Sequence, residues 1–256
     1  KIAKRCGVPR FIQSSSCSLY GAYGDDMIDE QAEFNPVTPY GISKVRAERD
    51  LRSMADESFT PTFLRNATAF GVSARLRGDL VVNNLVGYAY TTGKVMLKSD
   101  GSPWRPLVHI EDISRAFLAV LHAPREKVHC EAFNVGRSDE NFRIREVAAF
   151  VEEVVPGSRI EYSPGAGPDT RCYRVNCDKI LRVLPEFQPH WTVRAGVEEL
   201  HEAYRSHGLT LAELEGSRYL RIKHVKEMQE AGRLGSDLRW VAGAGPVEMS
   251  ALEVNG

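Results

Sequence analysis

Phe11-Ile12-Gln13-Ser14 is the short run that decides the fold, because it predicts a strand leading directly into a serine-rich loop. Helical signals follow from Tyr40 to Met54, with Pro36 and Pro39 placed just before them. A second strand is predicted at Thr62-Phe63-Leu64-Arg65. The order strand, helix, strand is what a parallel sheet covered by helices requires, so the chain is predicted to be α/β.

The alternation of strands and helices continues along the chain. Further strands are predicted over 94–97, 106–109 and 133–135, and further helices over 80–90, 111–123, 144–155 and 192–205. The last 50 or so residues are rich in Lys, Arg and Glu, and they predict an appended helix and a loose tail.

Composition and charge limit the classes of function. The 256 residues are 43% hydrophobic and 26% charged, which is ordinary for a globular chain with a substantial core. A formal charge of -1 gives no reason to expect a nucleic acid or an anionic membrane as partner. No apolar run approaches the roughly 20 residues of a membrane span, so a cytoplasmic protein is expected.

The five cysteines are odd in number and form no CxxC pair, which indicates reduced thiols with a packing role. They are Cys6, Cys17, Cys130, Cys172 and Cys177. None has a convincing His/Cys partner set for zinc, so no metal site is expected.

Tyr40 and Lys44 are the leading catalytic candidates, because a helix places them on one face, one turn apart. A nearby ammonium favours the phenolate, so the tyrosine oxygen can exchange a proton with a substrate hydroxyl near neutral pH. The spacing alone decides little, since three of the nine tyrosines have a lysine four residues on.

The two competing pairs have less favourable contexts. Gly93 is predicted to end a helix just before Lys94, so Tyr90 is expected to pack rather than to act with that lysine. Tyr219 and Lys223 lie in the polar C-terminal region, where a solvated helix face is expected.

A serine cluster supplies the third catalytic candidate. Residues 14–21 follow the first strand, at the carboxyl end where sheets of this class place their ligands, and a serine there can face the Tyr40 oxygen. Taken alone, such a cluster is more typical of loop capping, and a lone tyrosine–lysine pair is more typical of a surface contact. Their order along the chain favours the catalytic interpretation.

These segments together resemble the extended short-chain dehydrogenase/reductase family, specifically its NAD-dependent sugar-nucleotide epimerase/dehydratase branch. The resemblance runs from Cys6 to about Arg205. It implies that Ser16 is the active-site hydroxyl and Tyr40 the catalytic base. It also implies that Lys44 holds the nicotinamide ribose and favours the Tyr40 phenolate, so Tyr40 and Lys44 are the cofactor-contacting residues.

The same resemblance implies the substrate-binding residues. Related epimerases place an Asn at what is here Thr68, and Asn84 matches a position that contacts the nucleotide diphosphate, although a capping amide explains Asn84 equally well. Arg105 and Arg171 correspond to a pair of arginines that grip the pyrophosphate, with a surface ion pair as the alternative for each. His109 is expected to pack or to hydrogen-bond locally.

The positions after the active-site hydroxyl separate two reactions within the family. Dehydratases of the family have an Asp-Glu pair there, because eliminating water from a sugar needs a further acid and base. Here those positions are Cys17 and Ser18, which favours an epimerase or keto-sugar reductase over a 4,6-dehydratase.

By this resemblance the fold is a Rossmann-like doubly wound parallel sheet, incomplete at its N-terminus, with a smaller mixed α/β substrate lobe. The partial Rossmann lobe is assigned to 1–72 and 104–140, the substrate-binding lobe to 73–103 and 141–205, and a helical extension and tail to 206–256. The chain contains no GxxGxxG or GxGxxG turn for the cofactor pyrophosphate. We therefore expect roughly 100 residues of the dinucleotide lobe to precede Lys1.

The predicted function is an NAD-dependent nucleotide-sugar epimerase, with NADP not excluded as cofactor. Its partner is a nucleotide-sugar substrate, and the resemblance implies a homodimer. The alternatives are an NAD(P)-dependent keto-sugar reductase or dehydratase of the same family, and a non-catalytic nucleotide-binding scaffold or inactive fragment.

Overall fold

The computed structural model of the protein describes residues 1–167 and 172–242. The strands are β1 (Arg10–Ser16), β2 (Ala22–Ile28), β3 (Thr60–Asn66), β4 (Thr68–Phe70), β5 (Lys94–Ser99), β6 (Trp104–His109), β7 (Ala132–Val135), β8 (Asn141–Arg143), β9 (Arg159–Gly167) and β10 (Cys172–Val175). The helices are α1 (Ile2–Arg5), α2 (Pro39–Arg52), α3 (Val81–Thr92), α4 (Ile110–His122), α5 (Arg125–Val128), α6 (Ile144–Val154), α7 (Asp178–Val183), α8 (Val193–Ser206), α9 (Leu211–Leu214) and α10 (Arg221–Glu230).

Three parallel strands, in the order β1-β3-β7, form the sheet that carries the candidate site. Their carboxyl ends are in register, since Ser16 lies opposite Asn66 and Asn66 lies opposite Val135. Because β1 and β3 are parallel and α2 connects them, the predicted strand, helix, strand unit is confirmed.

Helices cover both faces of this sheet. Successive side chains of a strand point to opposite faces, and on β3 they enter two different apolar clusters. Phe63 packs with Leu51 of α2 on one face. Leu64 packs with Ile113 of α4 and Ile180 of α7 on the other. Burial on both sides is the arrangement of a doubly wound α/β sheet, as predicted.

A third apolar cluster forms around α3, α6 and α8 and the strands beside them. Parallel β5 and β9 and the mixed set β4-β6-β8 form the strands of this region. The cluster also takes in Leu209 and Leu214, which lie beyond the predicted end of the substrate lobe at residue 205. The first part of the C-terminal extension therefore packs on this lobe, while the division of the chain into lobes stays a prediction.

The two competing tyrosine–lysine pairs are separated by local structure. Gly93 ends α3 in the left-handed conformation at φ 73°, so Lys94 starts a strand and Tyr90 packs against the lobe core, as expected. The expected solvated helix face for Tyr219 is wrong: α10 begins at Arg221, and Tyr219 is half-buried against the same core. The apolar contact outweighs the helical spacing that suggested the longer helix.

Residues 1–167 and 172–242 contain neither a membrane-spanning helix nor a cluster of metal-binding side chains. No helix there is both long and apolar enough to cross a membrane. No group of three or more His, Cys, Asp or Glu side chains in these ranges could hold a metal ion.

Candidate active site

The N-terminus of α2 fixes the position of Tyr40. Thr38 caps the helix, its Oγ1 accepting a hydrogen bond from the Gly41 N–H at 3.1 Å, and Pro39 occupies the first turn without losing a helical hydrogen bond. Tyr40 follows directly and is 55% exposed, so its phenol is open to a ligand.

Gly41 brings this helix start against the turn that follows β1. A Cβ at Gly41 would lie 2.7 Å from the Ser18 carbonyl oxygen, closer than real Cβ atoms approach backbone. The short 3-10 turn Cys17–Leu19, which contains Ser18, starts at the carboxyl end of β1. The absence of a side chain at Gly41 therefore allows Tyr40 to sit beside the serine cluster.

Lys44 joins the helix to the end of β1. Its Nζ donates a hydrogen bond to the Ser14 carbonyl at 2.7 Å and lies 5.3 Å from the centroid of the Tyr40 ring. The phenol and the ammonium thus share one helix face, beside the strand end where a ligand is expected. The structure brings these residues together, and their catalytic roles stay predictions.

Ser16 has a capping contact as well as its predicted role. Its side chain is half-buried, and its Oγ accepts a hydrogen bond from the Ser18 N–H at 3.2 Å, capping the 3-10 turn. A hydroxyl that accepts one bond still has a proton to donate. Capping fixes where Ser16 lies without using that proton.

Two buried polar atoms near this strand edge have no hydrogen-bond partner within the described part of the chain. They are Oγ of Ser18 and Oδ1 of Asn66. The amide of Asn66 is oriented by its Nδ2, which donates to Ser14 Oγ at 3.2 Å and to the Ser15 carbonyl at 3.4 Å. Buried unpaired groups are costly, so their clustering at the carboxyl ends of β1 and β3 indicates a place for a polar ligand.

The predicted substrate residues occupy different elements. Thr68 begins β4 and is half-buried, opposite Leu107 of β6. Asn84 donates through Nδ2 to the Gly78 carbonyl at 2.7 Å, so it fixes the loop before α3. Arg105 lies on β6, is 8% exposed, and donates from Nη1 to the Trp104 carbonyl at 2.8 Å.

Arg171 lies outside the described residues, so its role stays a prediction. His109 is buried and packs as expected, stacking on Trp191 with ring centroids 3.9 Å apart. Its Nδ1 accepts locally from the Glu111 N–H, but its Nε2 also hydrogen-bonds Glu199 at 2.9 Å, across 90 residues of chain.

Arg77 orders the loop before α3, and the sequence did not single it out. Nε and Nη2 of Arg77 form a two-point contact with Asp79, at 2.9 and 2.6 Å. Hydrogen bonds to Asp79 raise the pKa of Arg77. The Arg77 carbonyl accepts a hydrogen bond from Asn83 Nδ2 at 3.1 Å, which joins the loop to α3.

The sequence of this chain matches a known protein family. Residues 1–136 match the family described as NAD dependent epimerase/dehydratase family. The chain belongs to this family. The relatives and structural neighbours of the chain include both epimerases and dehydratases, so the likeness alone does not decide which reaction the chain belongs to.

Two curated epimerases illustrate how this family member relates to others. The UDP-glucose 4-epimerase of Bacillus subtilis (strain 168) is 27% identical over 217 residues, covering 77% of this chain and 62% of that protein. The UDP-glucose 4-epimerase of Homo sapiens is 26% identical over 223 residues, covering 79% and 62% respectively. The chain thus spans 62% of the length of these relatives.

Solved structures show the same fold. MoeE5 in complex with UDP-glucose and NAD superposes with a TM-score of 0.69 at 26% identity, covering 81% of this chain and 68% of that one. A dTDP-glucose 4,6-dehydratase from Bacillus anthracis in complex with NAD gives a TM-score of 0.69 at 22% identity, covering 80% and 64%. At 22% identity the likeness concerns the fold alone.

Cys17 directly follows Ser16, at one of the two positions predicted to distinguish a dehydratase from an epimerase. Its side chain is 1% exposed, and its Sγ donates to the Arg65 carbonyl at 3.0 Å. Burial raises the pKa of the Cys17 thiol well above its ordinary value. The group therefore stays protonated at neutral pH and is held by the backbone.

Proposed function

We propose that this chain carries the catalytic residues and the substrate lobe of an NAD-dependent nucleotide-sugar epimerase. The observation that carries the proposal is the contact between two segments. Tyr40 and Lys44 share a face of α2, and Lys44 bonds to the end of β1 just before Ser16. Membership of the epimerase/dehydratase family gives this pairing its chemical context.

Groups at the strand edge fit the nicotinamide end of NAD. Lys44 keeps two ammonium protons beyond its bond to Ser14, and these suit ribose hydroxyls. Oγ of Ser18 and Oδ1 of Asn66 are unpaired polar atoms that a carboxamide or sugar could satisfy. Bound NAD would supply a hydride acceptor that later returns the hydride.

In the proposed reaction Tyr40 takes the proton of a sugar hydroxyl while that carbon is oxidised, and Lys44 stabilises the phenolate. Ser16 donates a hydrogen bond to the same oxygen. The resulting keto-sugar turns over within the site, so that it is reduced on its opposite face and regains its proton from Tyr40. Arg105 and Arg171 hold the diphosphate, which leaves only the sugar free to rotate.

The neighbours of Ser16 favour epimerisation over loss of water. Elimination needs a further acid and base beside the sugar, but Cys17 is a buried thiol with a raised pKa and Ser18 is a hydroxyl. Neither group exchanges protons efficiently at neutral pH. This supports an epimerase as the first choice among the family's reactions.

The proposal is tested by incubating the protein with a panel of nucleotide sugars, in separate assays with NAD and with NADH or NADPH, then following cofactor absorbance and separating the sugar products. An epimerase interconverts two sugars with no net change in NADH. Net consumption of NADH or NADPH would instead identify a keto-sugar reductase. Release of water from the sugar would identify a dehydratase, and tight sugar binding without turnover would favour a scaffold.

Substitution of the pair tests the residue roles directly. Tyr40→Phe removes the proton acceptor, so we expect kcat to fall by about 100-fold to 10,000-fold. Lys44→Met removes the ammonium that lies 5.3 Å from the centroid of the Tyr40 ring, so we expect kcat to fall in this variant as well. Tyr90→Phe is the matched control, since Tyr90 has the same spacing to Lys94 but packs in the lobe core. Unchanged kcat in Tyr40→Phe would exclude a base role for Tyr40.

A further inference from the structure

A buried ion pair joins α2 to β3 beside the candidate site. Neither of its two residues takes part in the proposed chemistry. Arg65 of β3 donates from Nε to Glu48 Oε1 at 3.1 Å and from Nη2 to Glu48 Oε2 at 2.8 Å. Glu48 is 0% exposed and Arg65 is 2% exposed. Charged side chains are almost never buried so fully unless they are paired, so this contact is a built feature of the fold.

Glu48 belongs to the same helix as the proposed catalytic pair. It lies four residues after Lys44 and eight after Tyr40, so the three side chains fall on one side of α2. Glu48 Oε1 also accepts a hydrogen bond from Ser15 Oγ at 2.6 Å. One carboxylate therefore connects the catalytic helix with β1, one residue before Ser16, and with β3.

Three residues of α2 meet the serine segment at successive points. Gly41 lies against the Ser18 carbonyl, Lys44 bonds to the Ser14 carbonyl, and Glu48 accepts from the Ser15 hydroxyl. Contacts spread over two turns of helix fix both its rotation and its position along the axis. Glu48 is the only one of the three that is also tied to a second strand, through Arg65.

The remaining polar atoms around the pair are satisfied. Arg65 Nη1 donates to the Tyr20 hydroxyl at 3.0 Å, and that hydroxyl donates to Asn134 Oδ1 at 2.8 Å. Burial opposes the charge on Arg65, but hydrogen bonds to Glu48 and the charge of its partners outweigh it and raise the pKa of Arg65. Because these buried polar groups are hydrogen-bonded to one another, the network favours a single arrangement of their side chains.

Stability alone is a poor reason for such a pair, because replacing a buried ion pair by apolar side chains is often neutral or stabilising. We propose that Glu48 is a positioning residue. Bonded to Ser15 and Arg65, it holds α2 against β1 so that Tyr40 and Lys44 face Ser16. The proposal rests on the proposed function of Tyr40, Lys44 and Ser16, and it assigns a role to a group that touches no ligand.

The test compares variants that separate an effect on the position of α2 from an effect on the stability of the fold. Glu48→Gln keeps the shape but turns an amide N–H₂ toward a donor, so we expect kcat to fall about tenfold to a hundredfold with KM little changed. Ser15→Ala cuts only the bond to β1 and should lower kcat to a smaller extent. The double variant Glu48→Leu with Arg65→Met removes both charges, and it should regain stability in urea unfolding without regaining kcat.

Thr62→Val is the matched control on β3. Thr62 is fully buried and its Oγ1 donates to the Val128 carbonyl at 2.8 Å, away from α2. It should lower stability and leave kcat unchanged. Recovery of both stability and kcat in the double variant would overturn the proposal, as would a kcat loss in Thr62→Val equal to that of Glu48→Gln. If Glu48→Gln does not fold, Ser15→Ala and the double variant decide the question.

A readout without turnover separates this proposal from the proposed function. The position of the Tyr40 ring can be followed by NMR in protein labelled with 13C at the tyrosine ring. We expect Glu48→Gln to change the chemical shifts of the Tyr40 ring, because the start of α2 moves relative to β1, and Thr62→Val to leave them unchanged. Unchanged Tyr40 chemical shifts in Glu48→Gln would overturn the positioning role. Absence of epimerisation in the unmodified protein would overturn only the proposed function.

Discussion

At the scale of single residues, the candidate site is an ammonium, a phenol and a hydroxyl held by backbone contacts. Lys44 is fixed by the Ser14 carbonyl and Ser16 by its cap on the following turn, while the Tyr40 ring stays 55% exposed. Groups that are anchored on one side and open on the other lose little freedom when a substrate binds.

The role proposed for Arg105 predicts how the affinity for a nucleoside diphosphate depends on its guanidinium. Its guanidinium is proposed to hold the diphosphate through a planar two-point contact, which a lysine cannot reproduce. In Arg105→Lys we expect affinity for UDP to fall about tenfold to a hundredfold, as charge-assisted hydrogen bonds of this kind would give. Titration calorimetry with UDP and with uridine measures the effect, and uridine binding should be unchanged.

Arg115→Lys is the matched control, because it makes the same arginine-to-lysine change in an exposed ion pair. Arg115 is an exposed arginine paired with Glu111 one turn away on α4, so its replacement should leave UDP affinity unchanged. Equal losses for UDP and uridine in Arg105→Lys would mean that Arg105 supports the fold of β6 rather than a phosphate.

At the scale of elements, the approach of α2 to the end of β1 is the critical contact. Gly41→Ala would place a methyl group 2.7 Å from the Ser18 carbonyl and 3.0 Å from Pro36 Cβ. The helix start must then move away, so we expect the free energy of unfolding to fall by about 1–3 kcal/mol. Because Tyr40 moves with it, kcat should fall as well.

Urea unfolding and initial rates measure both effects of Gly41→Ala. Ile42→Ala is the matched control, since Ile42 is the next residue of the same turn and is 39% exposed. A stable and fully active Gly41→Ala variant would show that the turn after β1 can yield, and that the close approach is not needed for catalysis.

Glu140 gives a pH-dependent prediction for α8. Its carboxylate accepts a hydrogen bond from the Val193 N–H at 2.6 Å at the start of that helix, and burial raises the pKa of Glu140. A raised folded-state pKa means that the charged form is disfavoured in the fold. The cost is absent below the unfolded pKa and grows as pH rises toward the folded pKa. Glu140→Gln should therefore be the more stable protein at pH 7, with an advantage that disappears at acidic pH.

Urea unfolding at pH 7 and at acidic pH measures the difference between Glu140→Gln and the unmodified protein. A variant that is less stable by the same amount at both pH values would show that the lost carboxylate contact at Val193 outweighs the cost of burying the charge.

The sequence predicted the elements that have their own periodicity and caps. The strand predicted at 11–14, the helix after Pro39 and the helix that starts after Thr192 are found, although the first strand extends to Ser16, which was expected in a loop. The strands β2 and β4 were not predicted. Residues 22–28 contain a glycine and two acids, and β4 has three residues, so both exist through pairing with β10 and β6 rather than through a local pattern.

The contacts of the candidate site could likewise be predicted only where the residues lie close together in the sequence. Tyr40 and Lys44 are one turn apart on a helix, so their proximity follows from the sequence spacing. The contacts of Glu48 with Arg65 and Ser15 do not follow from the sequence spacing, because Arg65 is 17 residues away on another element and Ser15 is 33 residues away. Contacts that depend on how elements pack have no signature in a single sequence, and a helical glutamate is ordinarily an exposed residue.

At the scale of the whole molecule, the C-terminal extension supports the loop before α3. The Tyr219 carbonyl accepts from the Gly78 N–H at 3.0 Å, and the Asn84 side chain holds the Gly78 carbonyl. Leu214 fills the space that side chains at Gly78 and Gly87 would occupy. The extension therefore packs against the loop that Asn84, a predicted substrate-binding residue, also holds.

Leu214→Ala tests that connection. Leu214 is 1% exposed, so its truncation should lower the free energy of unfolding by about 2–5 kcal/mol. The loop at Gly78 also loses its support, so KM for the nucleotide sugar should rise more than kcat falls. Leu211→Ala on the same short helix is the control, because Leu211 is 37% exposed and should cost little. Unfolding in urea and steady-state kinetics separate the two effects. A destabilised Leu214→Ala protein with unchanged KM would show that the extension stabilises the lobe without shaping the substrate loop.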